Sequence, residues 1–119
     1  MLAFADQLRP ALNRRLLLGL QSFEAHYALY PPGAGYLRHR DRFRDDDARV
    51  LSFVGYLNPQ WPMDAGGELR LFVDDRIVDV VPRLGRCVLF LSADIEHEVR
   101  PARQPRYSIA GWFRRRPLG

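Results

Sequence analysis

The chain has 119 residues, 47% hydrophobic and 27% charged, a composition that provides for one folded domain with one core and excludes two independently stable ones. A net charge of +4 and a pI near 9.8 raise the question of nucleic acid. The arginines are nevertheless scattered from Arg9 to Arg116 among acids, and the only run, Arg114 to Arg116, reads as a solvated terminus, which argues against a nucleic-acid partner. No apolar run approaches the roughly 20 residues of a membrane span. Asp6 breaks the first segment where a signal peptide needs continuity, so the expected location is cytoplasmic and no membrane partner is expected. Cys87 is the single cysteine, which excludes an internal disulfide, and its place in the apolar run CVLFL predicts a small buried side chain.

In chain order, Phe4, Leu8, Leu12 and Leu16 recur at intervals of four and predict an amphipathic helix over about 3–17, with a kink or a late start at Pro10. Beyond Gly19 the pattern changes to short β-rich runs: EAHYALY, GYLRH, RVLSFVGYLN, GELRLFV, IVDVVP, CVLFLS, EHEVRP and RYSIAGWFR. Turn formers such as PPGAG, DDD, NPQWPMDAGG, VDD and RLG separate them. Many short strands after a helix predict a mainly β fold, a sandwich, jelly roll or barrel occupying about 24–115, within a single domain of 1–119. In the third run Val50, Ser52, Val54 and Tyr56 share one face and Leu51, Phe53, Gly55 and Leu57 the other. Both faces are largely apolar, so this strand is expected in the middle of a layered structure, with one face toward a second sheet or cavity and the other toward the helix.

The run YLRHRD carries His39 and Asp41 two positions apart, which in an extended strand places both side chains on one face. An Asp turned into a core needs a cation, hydrogen bonds or a proton. His97 in EHEVRP offers a third ligand far along the chain. Two histidines and one carboxylate form the facial triad of non-haem iron(II) oxygenases, which leaves three positions open for co-substrate and oxygen. Zinc is the rival, but a catalytic zinc site leaves only one. Arg106, in an apolar strand with Tyr107, Ile109 and Trp112, must reach solvent or pair with an anion, and its planar fork suits the far carboxylate of a metal-bound dicarboxylate.

The ordered motifs GYLRHRD, GYLNPQW, GGELRLF, EHEV and RYSIAGWF closely resemble the iron(II)- and 2-oxoglutarate-dependent prolyl 4-hydroxylase-like dioxygenases, in particular the oxygen-sensing branch of animals and its bacterial relatives. The resemblance runs from about Tyr30 to Phe113. It implies a double-stranded β-helix, a jelly roll of cupin-like form. It also implies His39, Asp41 and His97 as iron ligands, and Arg106 as partner of the distal 2-oxoglutarate carboxylate, with a hydroxyl bond to the same group from Tyr56. Tyr30 would stand near the co-substrate on its iron-proximal side, and Val54, Leu69 and Trp112 would wall the pocket. The implied cofactors are Fe(II), 2-oxoglutarate and O2, with ascorbate as reductant, and the implied reaction hydroxylates a proline in a protein or peptide, releasing succinate and CO2.

Taken singly, Tyr30, Tyr56 and Trp112 also suit ordinary packing, and Val54 and Leu69 pack whether or not a ligand is present. His26 has no place in the pattern and reads as a structural or surface histidine; Glu96 and Glu98 should point away from the metal; Asp45 to Asp47 read as a turn. Relatives carry an N-terminal segment that folds over the target peptide, and this chain begins at or after its end, which implies a fragment, a truncated product or a minimal version. SADIEH also departs from the animal pattern, which has a proline just ahead of the distal histidine. Two other readings stay open: a 2-oxoglutarate oxygenase acting on a nucleic-acid base or small molecule, and a truncated, non-catalytic metal-binding module.

Overall fold

In the computed structural model, residues 7–11, 20–41 and 49–115 are described. Residues 7–11 are helical, and Leu8 packs on a core cluster; the rest of the predicted helix, with Phe4, Leu12 and Leu16, lies outside the described residues, as do Asp45 to Asp47 and Arg116. The eight predicted runs all form strands: β1 (Leu20–Tyr30), β2 (Tyr36–His39), β3 (Arg49–Tyr56), β4 (Leu69–Val73), β5 (Arg76–Val80), β6 (Cys87–Leu91), β7 (Glu96–Val99) and β8 (Arg106–Arg115). The expected core began at about 24, and β1 starts four residues earlier, at Leu20, because Leu20 is buried in the same cluster as Phe113.

The strands divide into two antiparallel four-stranded sheets, ordered β1-β8-β3-β6 and β2-β7-β4-β5. Chain neighbours mostly fall in opposite sheets, as in the double-stranded β-helix, the jelly roll that the family resemblance implies. The exception is the β4–β5 hairpin, turned at Asp74 and Asp75, where Asp74 takes φ 54°. Aspartate tolerates that left-handed conformation better than most residues with a Cβ.

Strand alternation sorts side chains in the first sheet as predicted for β3 from Leu51 to Tyr56, while Val50, expected on the face of Ser52, packs with the opposite cluster beside the register shift between Arg49 and Leu51. Leu51 and Phe53 turn outward and join Leu20 and Phe113 in one apolar cluster, against which Leu8, Phe23 and Val50 pack. Gly111 makes room there, since a Cβ on it would stand 2.6 Å from Phe23 Cζ. Tyr56 and Phe90 turn inward and meet Leu69 and Leu71 of the second sheet in another cluster, which holds the two layers together. A third cluster, Trp61, Ala65 and Ala102, closes the loops at one end.

Two expectations fail at the margins. Cys87 is exposed, because β6 is the edge of its sheet and its outward row, Cys87, Leu89 and Leu91, has no layer over it among the described residues. Arg114 and Arg115 belong to β8 and are half-buried rather than part of a solvated tail, with Arg114 Nη1 bonded to Glu24 Oε1 at 3.1 Å. Among the described residues no helix is long and apolar enough to cross a membrane.

Candidate active site

β2 and β7 pair so that His39 lies directly opposite His97, and their rings sit 4.3 Å apart. Asp41 is not on the strand with His39, as its spacing suggested. β2 ends at His39, and Asp41 occupies a bend beyond it. Its carboxylate still reaches both rings, with Oδ1 at 3.3 Å from His39 Nε2 and 3.1 Å from His97 Nε2. One donor atom from each of the three residues falls within 4.8 Å of the others.

The imidazoles are oriented from behind. His39 Nδ1 lies 2.7 Å from Leu37 O and His97 Nδ1 lies 3.2 Å from Ile95 O. A carbonyl only accepts, so each Nδ1 donates to it and each Nε2 is left facing Asp41. Asp41 is 9% exposed. Burial pushes its pKa up, but hydrogen bonds from His97 and Ser52 outweigh that and hold it at about 2. Two imidazole nitrogens and one carboxylate oxygen fit a ferrous ion with positions to spare. Glu96 and Glu98 point away, as expected, and engage Arg38, Arg40 and Arg70.

The cavity in front of these residues measures about 310 Å³ and is lined from both sheets. Tyr30, Val54, Leu69, Arg106 and Trp112 line it together with the three ligand candidates, as the sequence predicted. Tyr56 does not line it. It lies 2% exposed behind Arg106, touching that guanidinium through its hydroxyl at 3.4 Å. Burial pushes the Tyr56 phenol up to about 12, against the opposing pull of Arg106, so it stays protonated.

Arg106 is 2% exposed, and no carboxylate pairs with it among the described residues. Burial lowers its pKa, opposed by Tyr56 and Tyr30. Its Nε donates to Gly67 O at 2.8 Å, and its charge lies 5.1 Å from the Tyr56 ring centroid and 5.5 Å from that of Tyr30. Gly67, at φ 74°, must be glycine: a Cβ there would come 2.6 Å from the Trp61 ring. The loop between β3 and β4 therefore braces the guanidinium. A buried cation with no anion is costly and calls for an anionic ligand.

Several site residues were not singled out by sequence. Asn58 ties Pro82 O and the Tyr107 backbone together beside Arg106. Arg49 stacks over Trp112 at 4.1 Å and donates to Asp41 O at 3.2 Å. His26, read as structural or surface, is exposed but lines the cavity, with its ring 5.5 Å from that of Trp112. Alternation along β1 could have placed it: His26 shares a face with Tyr30.

Residues 25–114 match the sequence model of the 2OG-Fe(II) oxygenase superfamily. The chain belongs to that superfamily. Within it, the chain is 37% identical over 95 residues to rat Egl nine homolog 1, covering 76% of this chain and 28% of the relative. A solved Pseudomonas putida prolyl-4-hydroxylase superposes with a TM-score of 0.95 at 57% identity, covering 97% of this chain and 65% of the other. A prolyl hydroxylase from Trichoplax adhaerens, solved with a hypoxia inducible factor oxygen degradation domain peptide fragment, gives 0.85 at 35% identity, covering 92% and 52%. The chain thus spans under a third of the curated relative and about two thirds of the Pseudomonas oxygenase.

Proposed function

We propose that this chain is the catalytic core of an iron(II)- and 2-oxoglutarate-dependent dioxygenase that hydroxylates a proline in a protein or peptide. The observation that carries this reading is the pairing of two unsatisfied centres in one cavity: three convergent ligand atoms from His39, Asp41 and His97, and a buried cation, Arg106, without an anion. A dicarboxylate that ligates the metal through one end and meets Arg106 with the other satisfies both.

His39, Asp41 and His97 would hold the ferrous ion. Once bound, that ion supplies oxygen activation coupled to decarboxylation of 2-oxoglutarate, one oxygen atom entering succinate and the other the hydroxylated product. Arg106 would grip the distal carboxylate with its Nη atoms, because Nε is already given to Gly67 O. The protonated Tyr56 hydroxyl backs that grip and Tyr30 lies alongside. Val54, Leu69 and Trp112 contribute apolar wall that keeps water from the reacting centre.

Proline as the target is supported by the relatives: the Pseudomonas neighbour is a prolyl-4-hydroxylase, and the Trichoplax one was solved with a peptide. The test is turnover with Fe(II), 2-oxoglutarate and ascorbate, following succinate, with proline-containing peptides and oligonucleotides screened by mass for gain of one oxygen. Hydroxylated peptide is expected. Oxidised oligonucleotide would shift the reading to a base-modifying oxygenase, and a protein that binds metal but releases no succinate would be a binding module.

A further inference from the structure

Asp41 has an anchoring problem that the two histidines do not share. The histidines are fixed by the β2–β7 ladder, whereas Asp41 lies past the end of β2, in a bend. What holds it comes from the other sheet. Arg49 of β3 donates to its backbone oxygen at 3.2 Å, and Ser52 of β3 donates from Oγ to its Oδ2 at 2.5 Å. Ser52 is 1% exposed, and its Oγ also lies 2.9 Å from Oγ of Ser92, which is 0% exposed.

The direction of these bonds follows from counting protons. A carboxylate only accepts, so the single hydroxyl proton of Ser52 goes to Asp41. Ser52 then has none for Ser92, and Ser92 must donate to Ser52. The chain runs one way: Ser92 to Ser52 to Asp41 Oδ2. The other carboxylate oxygen, Oδ1, is the one turned to both Nε2 atoms. The two oxygens are thereby assigned different partners.

Ser92 also sits at the start of the turn leading to the distal histidine. Its N–H donates to Val50 O at 2.9 Å, Ile95 N–H donates to Leu91 O at 3.2 Å, and Ile95 O receives the His97 Nδ1 proton. One end of the serine pair therefore fixes the carboxylate, and the other lies in the segment that orients an imidazole.

We infer that Ser52 and Ser92 form a one-directional hydrogen-bond relay that restricts Asp41 to coordination through Oδ1 alone, making Ser52 a positioning residue of the metal site. The inference rests on the metal-binding reading above. A carboxylate freed from Ser52 can turn its second oxygen to the metal and close a position that the dicarboxylate or oxygen requires. Partners of this kind characteristically change metal affinity by about 10- to 100-fold when removed.

The experiment is a Co(II) titration of the purified chain, whose visible absorption reports affinity and coordination number together, on wild type, Ser52→Ala, Ser52→Thr and Ser92→Ala. Thermal unfolding of each metal-free protein serves as control. Expected are a loss of roughly 10- to 100-fold in Co(II) affinity with an altered spectrum in Ser52→Ala, near-complete recovery in Ser52→Thr, and a smaller loss in Ser92→Ala, where Ser52 still donates. Should Ser52→Ala not fold, the Ser92→Ala titration decides alone, and an unchanged Co(II) affinity there overturns the relay. Wild-type affinity and spectrum in Ser52→Ala also overturn it, as does equal loss in the folded alanine and threonine variants, which would mean packing rather than a hydrogen bond. Wild-type protein that takes up no Co(II) overturns the functional reading itself, a result distinguishable from the others because it needs no variant.

Discussion

β8 carries two unlike faces. Outward it presents Ile109, Gly111 and Phe113, the last fully buried against Leu20, Leu51 and Phe53. Inward it presents Arg106, Ser108, Ala110 and Trp112, all lining the cavity. The same alternation divides β3, whose Ser52, Val54 and Tyr56 face in while Leu51 and Phe53 face out. A period of two thus lets one pair of strands serve stability on one side and chemistry on the other. Substitutions on the two faces should fail differently, and the separation can be tested.

The largest effect belongs to the inner side of the site. His97→Ala removes one of three ligand atoms and should abolish metal binding and turnover together, measured by Co(II) titration and succinate release; His39→Ala should behave alike. On the outer face, Phe113→Ala removes a ring with no solvent exposure and should cost about 3–5 kcal/mol in urea unfolding. Metal affinity per folded molecule should be retained there. A large affinity loss in that variant at full folding would break the division between faces.

Arg106→Ala should weaken 2-oxoglutarate binding to the Mn(II)-loaded protein by about 2–5 kcal/mol in calorimetry, since it removes one partner of a buried charge pair. Mn(II) affinity itself should survive. Unchanged co-substrate affinity would mean that Arg106 serves some other group. The metal-free protein offers a smaller, pH-dependent effect through Asp41. Its folded pKa is depressed to about 2, so it adds stability above the ordinary carboxylate value and loses it as pH falls from about 4 toward 2. The amount is about 2 kcal/mol. Unfolding curves across that window should show a larger loss in wild type than in Asp41→Asn, where the remaining loss comes from other depressed carboxylates such as Asp79, bonded to Arg70.

Legibility in the sequence followed the same division. All eight strands were readable because turn chemistry punctuates them, and parity sorted the β3 residues onto two faces without saying which of them meets the cavity. Arg106 was readable because an ionisable residue in an apolar strand needs a partner, and His39, Asp41 and His97 because their spacing and residue types form a ligand set within the family's ordered motifs. The residues that depend on long-range pairing were not. Ser52 was placed on the face of Val54 and Tyr56, but nothing local could tell that Asp41, across in the other sheet's loop, would take its proton. Tyr56 was expected to bond the ligand directly; its hydroxyl lies 3.4 Å from Arg106 Nη2, and Tyr56 is not among the residues lining the cavity. Parity specifies a face, not a distance from the cavity.

Edges were the other blind spot, and Cys87 tests them. Its apolar neighbours Leu89 and Leu91 suggested burial, but a strand at the edge of a sheet can alternate apolar residues onto an uncovered side, and those two are 39% and 40% exposed. Opposite Cys87 stands Gly55, which offers no side chain to pack against the thiol. Cys87→Ser should therefore change stability by no more than about 0.5 kcal/mol in urea unfolding, and the native thiol should react fully with a disulfide reagent without denaturant. A buried cysteine would give the opposite pair of results: a cost of about 1–3 kcal/mol for the hydroxyl and labelling only on unfolding. Obtaining that pair would show the outward face of β6 to be covered, and would extend the stabilising side of the sheet to its edge.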